Sequence, residues 1–413
     1  MGRVAAEMLR DRGVHTLQRL VRPPRPNTTG RERLLRASSI RRQSLKLYFL
    51  AGQPLQGLYS LLRGLLEAEE AGPSNELVRV WVMASAFFST LGMRRIAQSY
   101  YDSALRALPE VKDLGTVSFV NHIGALFHMF NGDWALALPM FEKALALDEQ
   151  LGARQTEAGL HPRSDLALML LHMGRHGDSA VGYEDVLGGA RRIGESMAEL
   201  QAHAFFAEVE RRRGRMDLAR EHAEQALALI GEQQFPGQKL VALSVLALVQ
   251  PQAAHTLVRK AEPLLKFTPG AHFSFYVGLS NVMEAHLQLL ATGGLSPRER
   301  KASEQAIALI LKSLQGFTKV YRFGEPTLWL CEARWARSQG RHEDALAAAR
   351  RSVELARSLK MPHEEGLALR ERAACTSNPV ERERDLAEAT RVLASTNTPP
   401  QRNTEPTEAR RAS

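Results

Sequence analysis

A spacing of about 41 residues recurs along the 413-residue chain and limits what it can fold into. Glycines mark the spacing, and an alanine-rich apolar helical pattern follows each one, as in NGDWALALPMFEKALALD (131–148). The marks are Gly52, Gly92, Gly132, Gly174, Gly214 and Gly340, with intervals of 40, 40, 42, 40 and 126 residues. The last gap holds three units of 42, so two weaker copies are expected there, with second helices at HTLVRKAEPLL (255–265) and SEQAIALILKSL (303–314).

Residue types also recur at fixed distances from these glycines. Small residues stand seven before, five after and twelve after the glycine, and large apolar residues stand nine and thirteen after it. Small side chains let two antiparallel helices approach closely, and the larger ones fill the space toward the next pair. Because one hairpin cannot cover its own apolar face, several must stack. The sequence predicts an all-α, right-handed α-solenoid of about eight helical hairpins.

Charge and proline content separate the ends of the chain from this array. Residues 1–50 hold 12 basic and 3 acidic residues, whereas the remainder holds 42 of each, so the net charge of +9 belongs to one end. The segment VRPPRPNTTG (21–30) has three prolines and cannot be a continuous helix. We expect a basic N-terminal arm over 1–30, the repeat array over 31–394 with its weakest copies within 237–316, and a disordered tail over 395–413.

The concentration of charge also bears on partners and location. Nucleic acid or an anionic membrane surface would have to contact mainly the segment from Arg3 to Lys46, with a steep salt dependence. Charge blocks of this kind are more often solvated, so nucleic acid is not the expected partner.

Cys331 and Cys375 lie outside any CxxC motif and favour a reducing compartment. No apolar run approaches the roughly 20 residues that span a bilayer, and the first residues lack the apolar core of a signal peptide. The expected location is the cytoplasm.

Motifs of catalysis and cofactor binding are missing from the sequence. It contains no GxxxxGK[ST] phosphate loop, no HExxH and no kinase-type HRD or DFG string. His172 and His176 are four residues apart, a spacing that can share a metal on one helix face. Gly174 stands between them at an expected turn, however, and no cysteine or third ligand is near. The sequence predicts neither an enzyme, nor a cofactor, nor a metal site.

The repeat resembles a known family. Gly-Asp, alanine at plus five, an aromatic residue at plus nine and Ala-Leu at plus twelve and thirteen resemble the tetratricopeptide repeat (TPR) over roughly residues 35–375. The period exceeds the usual value of about 34, which implies longer helices or turns. Two stretches, QPLQGLYSLLRGLLEAEEAGPSNELVRVW (53–81) and LARSLKMPHEEGLAL (355–369), resemble the C-terminal repeat region of bacterial signalling ATPases linked to a cyclase or Ser/Thr kinase. This second resemblance implies catalytic modules outside the present sequence.

The TPR resemblance also implies a binding surface. In such repeats the first helix of each pair lines the concave side, where an extended peptide or a helix binds. Transferring that geometry predicts a partner-binding face formed by Arg42, Lys46, Arg79, His122, Met129, His172, Arg211, Arg334 and Arg337. Most of these side chains are cationic, which suits an acidic or carboxylate-terminated peptide. The alternative is that they are the ordinary polar faces of amphipathic helices.

Two functions are compatible with these features. The first is a non-enzymatic scaffold that binds a peptide or protein on the concave face of a TPR-like superhelix. The alternative is a regulatory or sensor region of a larger bacterial signalling ATPase, kinase or cyclase. Such a region would hold its catalytic module inactive until a ligand docks.

Overall fold

The computed structural model describes residues 30–50, 53–231, 235–266 and 275–397, and within these ranges the protein is all α-helical without a β-strand. Residues 1–29 of the predicted arm and 398–413 of the predicted tail lie outside the described residues. The helices are α1 (Arg31–Leu50), α2 (Pro54–Ala71), α3 (Asn75–Thr90), α4 (Arg94–Ala107), α5 (Leu114–Asn131), α6 (Trp134–Gln150), α7 (Glu157–His172), α8 (His176–Ile193), α9 (Ser196–Arg212), α10 (Met216–Ile230), α11 (Pro236–Val249), α12 (Ala254–Ala261), α13 (Phe275–Ala291), α14 (Pro297–Thr318), α15 (Glu325–Ser338), α16 (His342–Ser358), α17 (Pro362–Cys375) and α18 (Pro379–Thr396). The tail was expected to begin at residue 395, but α18 continues to Thr396.

Consecutive helices pack against each other in nine pairs within these ranges, from α1 with α2 to α17 with α18. Repeat glycines lie in the turns of five pairs, and their φ angles are between 71° and 80°; they are Gly92, Gly132, Gly174, Gly214 and Gly340. Glycine adopts this left-handed conformation without the steric penalty that a Cβ imposes, so it ends the first helix and reverses the chain. The glycines therefore mark hairpin turns, as the sequence predicts. Gly52 lies outside the described residues.

The two weaker copies also form helix pairs. Helix α12 and the 3-10 helix Glu262–Lys266 pack on α11, and α14 packs on α13. The predicted second helices at 255–265 and 303–314 lie on these elements. They are irregular in length, since α12 has 8 residues and α14 has 22. The turn between α11 and α12 has no glycine, and the left-handed glycine between α13 and α14, Gly293, stands 47 residues before Gly340 and so outside the period.

The repeated small residues lie where the helices of a pair approach most closely. Ser118 on α5 donates a hydrogen bond to the carbonyl oxygen of Ala144 on α6, at 3.2 Å and 26 residues away. The same separation recurs where Ser38 donates to the carbonyl oxygen of Gly64, at 3.0 Å. A small facing residue lets the two helices approach closely, which brings the serine hydroxyl within reach of the facing backbone. The small residue at plus twelve is therefore a helix contact.

Enlarging this contact should destabilise the protein. Ala144 is fully buried, so Ala144→Leu should overpack the α5–α6 contact and cost about 1 to 3 kcal/mol. Ala146→Leu is a matched control, because residue 146 lies on the exposed side of the same helix. Urea unfolding of both variants measures the difference. Equal stabilities would contradict this assignment of the helix contact.

The chain also folds back on itself. The indole Nε1 of Trp134 donates a 2.6 Å hydrogen bond to the carbonyl oxygen of Leu359, 225 residues away. The turn at Gly132 packs against Leu359, and the turn at Gly174 packs against Pro362 and Thr396. Stacked repeats contact only their neighbours, so these fold-back contacts are an addition to nearest-neighbour packing. A single apolar core consequently joins residues from α5 to the turn after α16, while a second core spans α1 to α5.

A search of the described helices for membrane spans finds no single helix with the necessary length and apolar character. One bent pair of segments, Pro236–Val249 with Pro251–Leu265, is together long and apolar enough for a membrane span by length and composition alone. The angle between its two parts is 117°.

Candidate functional site

Several cations of the predicted binding face are paired with carboxylates one repeat further along the chain. Arg42 Nε on α1 lies 2.9 Å from Glu76 Oε1 on α3. Arg79 Nη2 on α3 lies 2.9 Å from Asp113 Oδ2, which also caps the N-terminus of α5. Both pairs are 34 residues apart and join the first helices of successive pairs. We call these contacts the ion-pair ladder; they stabilise stacking and reduce the positive charge that a partner would meet.

Other predicted residues are less accessible than expected. His122 Nε2 lies 2.8 Å from Asp165 Oδ2 and extends the ladder from α5 to α7. Met129 and His172 are only 0% and 1% exposed, so a partner cannot contact either side chain in this conformation. Lys46 lies on α1, but its side chain is outside the described part of the structure.

Arg211 belongs to a buried group of charges, here called the central ion cluster. Glu208 is fully buried and accepts hydrogen bonds from Arg211 at 2.8 Å, Arg212 at 2.7 Å and Asn281 at 2.8 Å. Arg212 also donates to Glu364 at 3.1 Å, which links the end of α9 to the first turn of α17. Arg211 therefore lies between helices instead of on an open inner surface.

The two carboxylates of this cluster differ in their proton affinity. Burial alone would raise the pKa of Glu208, but Arg211 and Arg212 outweigh burial and hold the pKa at about 2. Glu364 is bonded by one guanidinium only, and burial raises its pKa above the ordinary value. Glu208 is therefore the firmly ionised centre of the cluster, and Glu364 is a weaker partner.

Three histidines lie beside the cluster and are buried. The rings of His176 and His363 are 5.1 Å apart. Burial and the nearby charge of Arg212 lower the pKa values of His172 and His176 to about 3, so both are neutral near pH 7. In the part of the chain that the structure covers, no three His, Cys, Asp or Glu side chains are arranged to hold a metal ion. All three rings are buried and packed between helices in this structure.

The remaining predicted residues, Arg334 and Arg337, line a cleft of about 460 Å³ between α13, α14 and α15. Its wall contains apolar, cationic and acidic side chains, among them Leu287, Leu290, Trp335, Arg300, Arg334, Arg337, Glu284 and Glu304. Such a mixture can hold an apolar group and a charged group of one ligand together. We call it the α13–α15 cleft.

The cations of the α13–α15 cleft differ in how far they are neutralised. Arg337 forms two hydrogen bonds with Glu371, at 2.5 Å and 3.2 Å, and this bonding raises the pKa of Arg337. Arg334 lies 3.4 Å from Glu284 and 3.8 Å from Glu371. Arg300 forms no ion pair within the described ranges, and 43% of the Arg337 side chain is exposed. Arg300 and Arg337 are therefore the accessible cations of the cleft.

Comparison with known protein families and with curated proteins yields no match. Arg334 and Arg337 belong to the binding face that the sequence predicts, whereas Arg300 and Trp335 do not. Trp335 stands five residues before Gly340, at a position filled by buried phenylalanine before Gly92 and Gly132. A tryptophan at that position, next to two arginines in the sequence, could have indicated a cleft residue. Arg300 could not, because only the packing of α14 brings it close to Trp335.

Proposed function

We propose that the protein is a non-enzymatic scaffold, built as a right-handed solenoid of TPR-like helix pairs, that binds a peptide or protein. Successive packed pairs, glycine turns and small residues at the helix contacts support this architecture. The observation that carries the binding proposal is the α13–α15 cleft, where accessible cations border a half-buried tryptophan. Its volume of about 460 Å³ is within the range of ligand sites.

The chemistry of the cleft favours an acidic or carboxylate-terminated peptide. Guanidinium groups bind carboxylates through charge-assisted and often bidentate hydrogen bonds. Arg300 supplies these donors, and Arg337 adds its Nη1 group while its Nε and Nη2 groups bond Glu371. Trp335 offers an apolar surface beside them. The nearby acids Glu284 and Glu304 would disfavour a peptide with many carboxylates. One carboxylate next to an apolar side chain therefore fits best.

Removing the accessible cations should weaken peptide binding. A peptide array with single carboxylates, and matching amidated or glutamine-containing peptides, identifies a probe, and fluorescence anisotropy measures its affinity. Arg300→Ala with Arg337→Ala should reduce affinity at least about tenfold, or about 1.4 kcal/mol. The control is Arg94→Ala with Arg95→Ala, an exposed arginine pair on α4 outside the cleft. Equal losses in the two double variants, or a preference for uncharged peptides, would contradict the proposed site.

A second candidate is a regulatory region of a larger signalling ATPase, kinase or cyclase. The fold-back contacts favour it, because they cover the turns at Gly132 and Gly174 with the chain's own residues instead of leaving them open to a peptide. The resemblance of residues 53–81 and 355–369 to such regulators also supports it. An antibody blot of native lysate separates the two functions. A band near 45.8 kDa supports the scaffold, and a much heavier band supports the regulatory region.

A further inference from the structure

Three buried histidines surround the fold-back contact between the turn after α7 and the start of α17. In this contact, Gly174 of the turn packs against Pro362. His172 and His176 stand two residues before and two residues after Gly174, and His363 directly follows Pro362. The three histidines are 1%, 0% and 8% exposed. Separation of α17 from the turn would therefore bring these rings into contact with water.

The rings lack the hydrogen bonds that a protonated imidazole needs. Among the described residues, neither ring nitrogen of His176 has a hydrogen-bond partner, and Nδ1 of His172 and Nδ1 of His363 have none either. A histidine that takes up a proton becomes a donor at both nitrogens, and a buried charge without partners is costly. The closed contact therefore disfavours protonation of these rings, whereas water can satisfy them once the contact opens.

The charged groups around the rings do not compensate for added protons. The cations that face the rings are Arg211 and Arg212 from α9 and Arg334 from α15. The acids and neutral polar groups around them are Glu208 from α9, Glu364 on α17, Tyr276 from α13 and Asn397 after α18. Both acids already accept hydrogen bonds from the arginines of α9. Asn397 favours a protonated His176, but burial and Arg212 outweigh it.

We propose that the fold-back contact is an acid-sensitive switch, which opens as His172, His176 and His363 take up protons. In the open form the rings meet water and have an ordinary pKa of about 6.5. In the closed form burial and Arg212 lower the pKa values of His172 and His176 to about 3. The open form therefore binds more protons, so the closed form is favoured above pH 6.5 and loses stability as the pH falls from 6.5 toward 3.

The switch controls access to the turn at Gly174. Pro362 and Thr396 cover this turn in the closed form, and opening uncovers it. Acidification would therefore expose a surface that is closed to partners at neutral pH. This regulation goes beyond the proposed binding function and does not depend on the α13–α15 cleft.

Glu364 acts in the opposite direction and reduces the effect. Burial raises its pKa in the closed form, so the closed form takes up a proton there before the open form does. Three histidines against one carboxyl group leave a net uptake of protons on opening. With an open-form pKa of about 6.5, each histidine changes the ratio of closed to open form about 25-fold between pH 7 and pH 5. After the offset by Glu364, the ratio should still fall at least about a hundredfold.

Hydrogen exchange of the full chain tests the proposal. The Trp134 indole donates its hydrogen bond to Leu359 across the fold-back contact, so exchange of the indole N–H reports opening. NMR of the chain labelled with ¹⁵N in tryptophan gives its protection, as the observed rate relative to the intrinsic rate of an indole at each pH. This protection should fall at least about a hundredfold between pH 7 and pH 5. The backbone amides of α3 and α4 are the internal control and should stay protected.

Replacing two of the rings should remove most of the pH dependence. His176→Gln with His363→Gln leaves only His172 of the three, so the fall in Trp134 protection should be no more than about 25-fold. The matched control is His255→Gln with His342→Gln, which replaces two solvent-accessible histidines outside the fold-back contact. This control should keep the full fall.

Three outcomes would overturn the proposal. Equal Trp134 protection at pH 7 and pH 5 in the wild-type chain would mean that the contact does not respond to acid, and this measurement requires no variant. A parallel loss of protection in α3 and α4 would mean that the whole chain unfolds instead of the contact. A full fall in His176→Gln with His363→Gln would assign the opening to other titrating groups.

Discussion

Glu208→Gln should destabilise the protein by about 3 to 5 kcal/mol, whereas Glu364→Gln should change stability by less than about 1 kcal/mol. Both carboxylates accept a hydrogen bond from Arg212, so the two variants differ mainly in the other hydrogen bonds that each carboxylate accepts. Glu208 also holds Arg211 and Asn281 in the central ion cluster. Losing its charge leaves two guanidinium groups with weaker compensation, which is the costly case for buried ion pairs.

Glu364 lies in the opposite situation. Burial raises its pKa, so the ionised form is already disfavoured, and a neutral amide avoids that cost. Arg212 would still be paired with Glu208 in this variant. Urea unfolding of both variants at pH 7 gives the comparison. Equal losses would mean that Glu208 is not the centre of the cluster.

The pH dependence of the same variants gives an independent check. A depressed folded pKa means that Glu208 contributes stability above the unfolded value near 4.5, and that this contribution is lost as the pH falls toward about 2. His172 and His176 have folded pKa values near 3, below the ordinary 6.5. They bind protons only after unfolding in this window, so they reduce stability as the pH falls from 6.5 to 3. Glu208→Gln should remove the loss between pH 4.5 and 2 and keep the histidine contribution.

The helices and their turns could be predicted because their causes are local and periodic. Gly132 and Ala144 each have equivalents about one repeat away, and the repetition separates them from chance. The ion-pair ladder was also readable in principle, since Arg42 with Glu76 and Arg79 with Asp113 share one separation of 34 residues. One arginine viewed alone does not indicate an ion pair, because its acid stands 34 residues further along the chain.

The fold-back contacts could not be predicted in this way. Trp134 and Leu359 are 225 residues apart, and neither occupies a repeated position that points to the other. Their contact depends on how helices far apart in the chain pack against each other. The burial of His172 could not be predicted for the same reason. Its ring packs against Tyr276 and Phe323, which belong to helices much later in the chain. Contacts between helices far apart in the chain therefore determine which part of a repeat face is accessible. The period of the sequence carries no information about these contacts.

Gly174→Ala should cost about 2 to 5 kcal/mol, and Gly214→Ala only about 1 to 2 kcal/mol. Both glycines end the first helix of a pair with similar backbone angles, φ 71° and 80°, so the left-handed strain of a Cβ is common to both. The surroundings differ. A Cβ at Gly174 would stand 2.6 Å from Cγ of Pro362 and 3.0 Å from Cγ2 of Thr396, whereas a Cβ at Gly214 meets nothing within 4 Å.

The difference between these two variants measures the fold-back contact alone, because helix reversal and backbone strain cancel in the comparison. Urea unfolding at pH 7 gives both free energies, and Gly340→Ala is a second control with φ 74° and open surroundings. Adding Pro362→Ala should recover part of the Gly174→Ala loss, since it removes the ring atom nearest to the new Cβ. Equal costs at all three glycines, with no recovery, would mean that the last helices do not rest on the central turns in solution. The turn at Gly174 would then be open to a partner instead of being covered by Pro362 and Thr396.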